Sequence, residues 1–482
     1  MLRIVTRSSH RLGLTVMIFL LGVSTHVNAG FSKAEVIDIN NPQFRKLVFA
    51  LPPQAINGGE PVVQNFAGDT AGQLHTLLEF TGFFKIISEQ GYRGANSGDY
   101  ASWKALGIDA IITSKIARSP APGAYTIALK AEDVLQGREA LATSETFHNN
   151  RELLTQLKHF VDRLLEIYTN RPGIFSSRIV FIGKRERKQE GQVFICDIDG
   201  QNVEQITFAP KVAHLSPSWS NDGSKILYTS YSSGKPDLYL YEVSTGKVDK
   251  VASQGSYSSG GVFSRNGKIV AFSQSTKGLT RILLKNLEKK ETKPLTNDSR
   301  GLNVDPTFSP DGKWLASVSD RFGNPHIFLS QLAWGADGQS LVVEAERRLT
   351  YAGKQNVTPA WSPDSQKLAF AGLDPTVGRF DIFKMNLDGT YLERLTQFEG
   401  SNENPSWSPN GQHLVYHSNR SGAAQLYLMH KDGSSQQLIP TGLYEAKTPD
   451  WGPQPPSKSL PPPLVPAPVP APAPAPAPVP AP

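Results

Sequence analysis

The sequence predicts an α/β N-terminal domain followed by an all-β six-bladed β-propeller, and the strongest reason is an internal repeat. A short phrase with an aromatic residue in third position recurs six times, at intervals of 44 to 53 residues. The six aromatic residues are Trp219, Phe263, Phe308, Trp361, Trp407 and Trp451. A repeat of this length with several short strands per unit is typical of a β-propeller.

Each repeat unit also carries signals for turns and for further strands. Turn residues such as Asn221-Asp222-Gly223 and Pro310-Asp311-Gly312 follow the aromatic phrase, and they supply the backbone angles of a chain reversal. Short apolar runs come next, for example Ile226-Leu227-Tyr228 and then Leu238-Tyr239-Leu240. Each unit is therefore predicted to form the strands of one blade, with the aromatic residues as core wedges between blades.

The first and last repeat units are incomplete and complement one another. Residues 178–183, 193–198 and 203–207 supply three strands without an aromatic phrase before them, whereas residues 448–451 supply a phrase without strands after it. The C-terminal strand is therefore expected to close the ring, which leaves no long open edge.

Residues 30–171 alternate between strands and helices and are predicted to form the α/β domain. Asp69 or Thr70 can cap a first helix, and residues 151–169 place their apolar side chains on one face of a second helix, with Asn149 or Asn150 as its cap. Strands are expected at residues 46–51, 84–88, 108–114 and 125–131. The domain is expected to hinge on the propeller, residues 174–452, at residues 170–173.

The N-terminus has the pattern of an export signal. Three arginines precede an apolar run at residues 12–23, and Val27-Asn28-Ala29 suits cleavage after Ala29, so residues 1–29 are predicted to be a signal peptide. The apolar run is shorter than the roughly 20 residues that span a bilayer, and no direct membrane span is expected. The mature protein is expected to be exported.

Residues 453–482 form a Pro/Ala-rich tail in which Lys458 is the only charge. Such a segment favours extended polyproline II conformation and has almost nothing to bury. It is interpreted as a disordered tail or a semi-rigid spacer.

Charge and cysteine content argue against a nucleic-acid ligand and against a disulfide framework. The formal net charge is +6, and removal of the leader, with three arginines and no acidic residue, leaves 46 minus 43, or +3. The basic residues are dispersed instead of forming a stripe. The single cysteine, Cys196, lies in an apolar strand and is expected to be a buried thiol.

No catalytic, cofactor or metal motif is found in the sequence. It contains no Gly-x-Ser-x-Gly elbow, no His-Glu-x-x-His and no Gly-x-x-x-x-Gly-Lys phosphate loop. Aspartates recur at equivalent turn positions, where they are expected to accept hydrogen bonds from local amides: Asp222, Asp311, Asp364, Asp388 and Asp432. The sequence therefore predicts no catalytic residue, no cofactor and no metal.

The segments that lead into the aromatic phrases differ among the units, and such loops are expected to ring one mouth of the central channel. Uncharged hydrogen-bonding groups mixed with small apolar residues suit a protein partner, although any single loop can equally be solvated and without a partner. The candidate contacts are His214, Tyr257, Gly260, Asn303, Val304, Asn356, Asn402 and Lys447.

The repeat at residues 358–370, Thr-Pro-Ala-Trp-Ser-Pro-Asp-Ser-Gln-Lys-Leu-Ala-Phe, together with the α/β domain and the export signal, resembles the TolB family with its PD40-type repeats. Val36-Ile37-Asp38-Ile39 fits this family too, and the resemblance covers residues 31–452. Members are periplasmic components of the Tol-Pal system of Gram-negative bacteria. The resemblance implies a non-enzymatic adaptor that links the inner-membrane protein TolA to the outer-membrane lipoprotein Pal.

The resemblance also implies where the partners bind. Pal contacts would fall on Tyr257, Gly260, Asn303 and Val304, although Gly261 stands where the family phrase usually has Pro. TolA would be held by the start of the mature chain: Ala34, Glu35, Val36, Ile37, Asp38, Ile39 and Asn40. Other envelope proteins are further candidate partners, and a monomer is expected. The alternatives are a propeller hydrolase or lyase acting on an envelope polymer, or a glycan-binding protein.

Overall fold

The structure is a computed structural model that describes residues 45–53, 55–56, 61–92, 99–252, 255, 257–295, 301–335, 340–397 and 399–454. The predicted signal peptide, residues 34–40 and the tail from residue 455 onward lie outside the described residues. Among the residues described, no helix combines the length and the apolar character needed to cross a membrane.

The N-terminal domain is a six-stranded sheet with two long helices, α1 and α3, packed together on one face. Its elements are β1 Leu47–Ala50, β2 Ala55–Ile56, α1 Pro61–Phe80, β3 Phe84–Ile87, a 3₁₀ turn Glu89–Tyr92, α2 Tyr100–Ala105, β4 Ala110–Arg118, β5 Tyr125–Asp133, β6 Arg138–Phe147 and α3 Asn150–Thr169. The strand order is β3-β1-β4-β5-β6, and β2 also pairs with β4. β1 runs parallel to β3 and β4, whereas β4, β5 and β6 are antiparallel.

The predicted start of α3 is confirmed, whereas the predicted start of α1 is wrong. The Asn149 cap is confirmed, because its side chain accepts a hydrogen bond from the Glu152 N–H. The proposed cap at Asp69 or Thr70 is wrong, because α1 already begins at Pro61. Thr70 lies inside this helix, where its hydroxyl donates to the Phe66 carbonyl at 2.7 Å. Proline is well suited to the first helical position, since it has no N–H to leave unsatisfied.

The junction between the domains is fixed by one buried carboxylate. Asp162 on α3 accepts hydrogen bonds from the N–H groups of Ile174, Phe175 and Ser176 at 2.8 to 2.9 Å, and from the Ser176 hydroxyl at 2.6 Å. Gly173 passes so close that a methyl group there would lie 2.2 Å from Cγ of Asp162. The hinge expected at residues 170–173 is therefore a clamped connection.

The propeller begins with three strands, β7 Arg178–Lys184, β8 Gln192–Asp197 and β9 Glu204–Gln205. Blade 1 contains β10 His214–Trp219, β11 Lys225–Ser230, β12 Asp237–Glu242 and β13 Val248–Ala252. Blade 2 contains β14 Tyr257–Phe263, β15 Ile269–Thr276, β16 Leu279–Asn286 and β17 Thr292–Pro294. Blade 3 contains β18 Asn303–Phe308, β19 Trp314–Ser319, β20 His326–Trp334 and β21 Leu341–Arg348.

Blade 4 contains β22 Asn356–Trp361, β23 Lys367–Asp374, β24 Arg379–Asn386 and β25 Glu393–Arg394, and blade 5 contains β26 Asn402–Trp407, β27 His413–Ser418, β28 Gln425–His430 and β29 Gln437–Leu438. The last strand, β30 Glu445–Trp451, pairs with β7, so blade 6 has the order β30-β7-β8-β9. The predicted six blades and the ring closure by the C-terminal strand are confirmed.

The aromatic residues of the repeat end the inner strands and pack between blades, as predicted. Phe263, Trp361, Trp407 and Trp451 are buried. The Trp361 indole N–H donates to the Thr307 carbonyl of the preceding blade at 3.0 Å, and Trp407 makes the equivalent bond to Ala360 at 3.2 Å. Each of these two wedges therefore contributes a partly buried hydrogen bond across a blade boundary as well as apolar contact.

The two ends of the propeller differ. We call the end where the six inner strands begin the open face, and the end where they finish the domain face, because the N-terminal domain docks there. Nε2 of His413 lies 2.8 Å from the Phe80 carbonyl oxygen of α1, and the two rings stack at 4.8 Å. The Arg171 guanidinium donates to the Asn410 carbonyl at 2.8 Å, and Lys158 pairs with Asp199 at 2.6 Å. The N-terminal domain thus covers part of the domain face.

Candidate functional site

The residues predicted to bind a partner lie at the open face, but within strands. His214, Tyr257, Asn303, Asn356 and Asn402 are the first residues of their inner strands, so the expectation that they stand in loops is wrong. The side chains of His214, Asn303, Asn356 and Asn402 are buried. Their role in binding stays a prediction, and any such role is indirect.

These four buried side chains hold neighbouring blades together. The Asn303 amide donates to the Thr280 carbonyl at 3.2 Å, and the Asn402 amide donates to the Asp381 carboxylate at 3.0 Å. Nδ2 of Asn356 lies 3.0 Å from Nδ1 of His326, and Nδ1 of His214 lies 3.2 Å from the Gly191 carbonyl. A buried polar group requires such a partner. Because each partner lies on the preceding blade, we name these four side chains the interblade clamps.

Two arginines with largely buried side chains reinforce two of the clamps. Arg420 donates to Oδ1 of Asn402 at 3.0 Å and forms an ion pair with Glu399. Arg321 makes the equivalent contact to Asn303 at 3.4 Å and pairs with Glu346. Charge-assisted bonds of this kind order the rim of the open face.

The other four predicted contacts, Tyr257, Gly260, Val304 and Lys447, are partly exposed. Burial is sufficient to raise the pKa of the Tyr257 hydroxyl. Gly260 has φ 67°, which favours glycine. The departure from the family phrase at Gly261 also has a structural reason, because a methyl group there would lie 2.7 Å from Leu238 of blade 1.

The loops of the open face expose large aromatic and apolar side chains that the sequence analysis missed. Phe208 is 75% exposed and Phe322 is 66% exposed, far above the values of the wedge residues. The full set, which we call the aromatic rim, is Phe208, Tyr231, Leu302, Phe322, Tyr351 and Tyr444. An available signal was the position of aromatic residues beside turn glycines, as in Arg321-Phe322-Gly323. Exposed aromatic side chains in one region mark a protein-binding surface.

The inner strands share a bulge halfway along the channel. At this point Ser216, Asp305, Thr358, Asn404 and Thr448 adopt φ between 46° and 52°, and Gly260 takes the sixth position. The cavity that opens from here toward the domain face has a volume of about 650 Å³. Burial raises the pKa of Asp450 in its wall to about 6, against hydrogen bonds from the Trp219 N–H and the Ser406 hydroxyl.

The turn aspartates and the cysteine behave as predicted. Asp222, Asp311 and Asp364 each accept a hydrogen bond at 3.0 Å from an N–H two residues later, and Asp388 and Asp432 do the same in hairpin turns. Cys196 is fully buried, and burial raises the pKa of its thiol. Within the described ranges no group of three or more His, Cys, Asp or Glu side chains could hold a metal ion.

Both regions of the chain match models of known families. Residues 35–140 match the TolB amino-terminal domain, and residues 165–455 match the TolB beta propeller domain. The second match alone covers more than half of the chain. It coincides with the six blades of the structure.

Known proteins resemble the chain over most of its length. It is 29% identical to a protein TolB homolog of Chlorobium luteolum, over 92% of this chain and 99% of the relative. It is 31% identical to the Tol-Pal system protein TolB of Anaeromyxobacter dehalogenans, over 86% of this chain and 93% of the relative. The crystal structure of TolB from Acinetobacter baumannii superposes with a TM-score of 0.67 at 25% identity, covering 85% of this chain and 97% of that chain.

Proposed function

The chain belongs to the TolB family, and from this membership we propose that it is a non-enzymatic periplasmic adaptor of a Tol-Pal system. It links TolA at the inner membrane to the lipoprotein Pal at the outer membrane, and thereby supports envelope integrity and invagination of the outer membrane at cell division. The signal peptide, cleaved after Ala29, delivers it to the periplasm. Residues 34–40 hold TolA, and the propeller holds Pal.

The observation that carries the Pal assignment is the aromatic rim. Phenylalanine and tyrosine give a large contact area for few rotatable bonds, so they are effective anchors at protein interfaces. The rim residues project from loops of several blades around one channel mouth, which suits a globular partner better than a thin peptide. The opposite end of the propeller already carries the N-terminal domain, through His413 and Arg171.

The predicted contact residues take two different roles in this proposal. Tyr257, Gly260, Val304 and Lys447 are partly exposed inside the rim and touch the partner directly. The interblade clamps His214, Asn303, Asn356 and Asn402 stay buried and hold the loops in register. Substitutions in the rim are therefore expected to weaken partner binding directly. Substitutions of the clamps are expected to act only indirectly, through the position of the loops.

The test is a calorimetric titration of the protein with the soluble domain of Pal from the same organism. We expect one-to-one binding with a micromolar or lower Kd, and weakening of about tenfold or more in each of Phe208→Ser and Phe322→Ser. The matched control is Trp334→Ser, an exposed aromatic residue at the end of β20 nearer the domain face. Equal affinities for all variants would refute the rim as the docking surface, and absence of binding would refute the adaptor role.

A role in binding or cleaving an envelope glycan is the second candidate, and the channel cavity is the observation that favours it. Asp305 and Asp450 both line this cavity, and burial raises the pKa of each carboxyl group. A carboxyl group whose pKa is raised toward neutrality is better suited to act as a general acid. Titration with peptidoglycan fragments, followed by analysis for cleaved products, decides between this role and the adaptor.

A further inference from the structure

A second apolar surface lies on the side of the propeller, away from the centre of the aromatic rim. It is a cavity of about 220 Å³ between blades 3 and 4, lined by Leu349, Phe370, Phe383 and Met385. Its walls also include Gly353, Gly372 and Gly389, which have no side chain to fill it. We call this cavity the side groove.

Exposed aromatic and apolar residues flank the side groove at both ends. Tyr351 is 72% exposed at the open face, and Tyr391 and Leu392 are 80% and 48% exposed in the hairpin between β24 and β25. Tyr391 has φ 54°, and the equivalent hairpin residues Asn202, Lys290 and Ser435 share this left-handed conformation. Those three are polar, so an aromatic side chain at this position is a departure from the repeat.

Two arginines beside the side groove are already engaged. Arg348 stacks over the Tyr351 ring at 4.7 Å and donates to the Thr350 carbonyl at 2.6 Å. The Arg347 guanidinium donates to the Leu387 carbonyl. A ligand of this groove therefore gains little from carrying charge. An apolar, uncharged segment fits it best.

The chain itself contains such a segment. Residues 455–482 follow the last described residue, Gln454, and consist almost entirely of Pro, Ala, Val and Leu with Lys458 as the only charge. The chain leaves the propeller at the domain face, where Pro453 lies close to Gly223. The hairpin that carries Tyr391 and Leu392 lies on this same face. As a polyproline II helix, the ten residues that follow Gln454, up to Leu464, extend about 31 Å, and all 28 residues extend about 87 Å.

We propose that the Pro/Ala tail binds the side groove of its own propeller as a polyproline II helix. Proline-rich segments bind grooves between aromatic side chains, because their preformed helix loses little conformational entropy on docking. Leu464-Val465, the only adjacent pair of branched apolar residues in the tail, supplies the side chains for the cavity. Tethering gives the tail an effective concentration of about a millimolar, so weak intrinsic affinity is sufficient.

The test uses the full chain with a photoreactive group on the tail. Ala467→Cys introduces an accessible thiol two residues after Val465, and the native Cys196 does not compete because it is buried with a raised pKa. Labelling with a benzophenone maleimide, irradiation and mass spectrometry then locate the cross-links. We expect them within one chain, on residues 389–392 and 349–353.

A double variant distinguishes specific docking of the tail in the side groove from random collision of the tail with the propeller. Tyr391→Ser with Leu392→Ser should lower the cross-link yield by about tenfold, whereas the matched control Tyr444→Ser on the open face should leave it unchanged. All three side chains are exposed, so the fold is expected to persist in both variants. Circular dichroism of each variant is the check on this expectation. Cross-links at Phe208, Tyr231 or Phe322 of the rim, cross-links between copies, or a yield unaffected by the double variant would each overturn the proposal. None of these outcomes depends on Pal binding.

Discussion

Acidification should weaken the protein through one histidine between the two domains. His413 is 1% exposed, and its ring lies between Phe80 and His430, each at 4.8 Å. Because a carbonyl oxygen only accepts, Nε2 carries the proton donated to Phe80, and Nδ1 has no partner among the described residues. Burial, with a smaller effect of His430, lowers the pKa of His413 from 6.5 to about 3.

The sign and the size of the effect follow from this difference. In the unfolded chain His413 takes up a proton near its ordinary pKa, whereas in the folded protein its imidazole stays neutral until far lower pH. The unfolded state therefore binds more protons below about pH 6.5, and stability falls as the pH falls. One pKa unit corresponds to about 1.4 kcal/mol, so acidification from about pH 7 to pH 5 should cost about 2 kcal/mol through this residue.

The assay is urea unfolding of the wild type and of His413→Gln at both pH values. Glutamine keeps an N–H donor for the Phe80 carbonyl but does not titrate. The loss of free energy of unfolding on acidification should therefore be about 2 kcal/mol smaller in the variant. An equal loss in the two proteins would show that His413 accepts protons in the folded state and would refute the reasoning.

Two further substitutions test the junction and the clamps. Asp162→Ala removes the acceptor of four hydrogen bonds and leaves buried N–H groups unpaired, so thermal unfolding should show a destabilisation of about 3–5 kcal/mol; a change below about 1 kcal/mol would contradict the clamped junction. Asn402→Ala removes the bond to Asp381 and should cost about 1–3 kcal/mol, measured by urea unfolding. Asn221→Ala removes amide bonds to the Ser264 and Arg265 carbonyls of the next blade, but Asn221 is exposed, so water can replace them and the cost should be smaller.

The sequence was sufficient to predict the propeller because each repeat position has a separate physical task. The aromatic wedge, the turn aspartate and the apolar strand recur at the same positions in each unit. An element that is unclear in one unit can therefore be identified from the equivalent position in the others. The N-terminal domain has no repeat, and its prediction depended on local signals. The start of α1 was misplaced at Asp69, because Val62, Val63 and Gly68 are weak helix formers and the Asp69-Thr70 pair resembles a cap.

The candidate site was harder to predict than the fold. Asparagine at a strand start and asparagine in a binding loop look alike in a sequence, and only the structure shows that Asn303 and Asn402 face the preceding blade. Conversely, Phe208 and Phe322 sit in segments that the strand pattern leaves out. A side chain's exposure depends on contacts between distant parts of the chain, which local pattern does not encode.

Closure of the ring by β30 also fixes the order in which the protein can be completed. Arg178 and Trp451, the first and last strand residues of blade 6 along the chain, are 451 minus 178, or 273, positions apart. A ribosome that adds roughly 5–20 residues per second needs about 14–55 s between these two points. Throughout that interval β7 lacks its inner neighbour and presents an unpaired edge. The N-terminal domain, complete before the first blade, can fold during synthesis, but the propeller becomes a ring only after almost the last residue has been added.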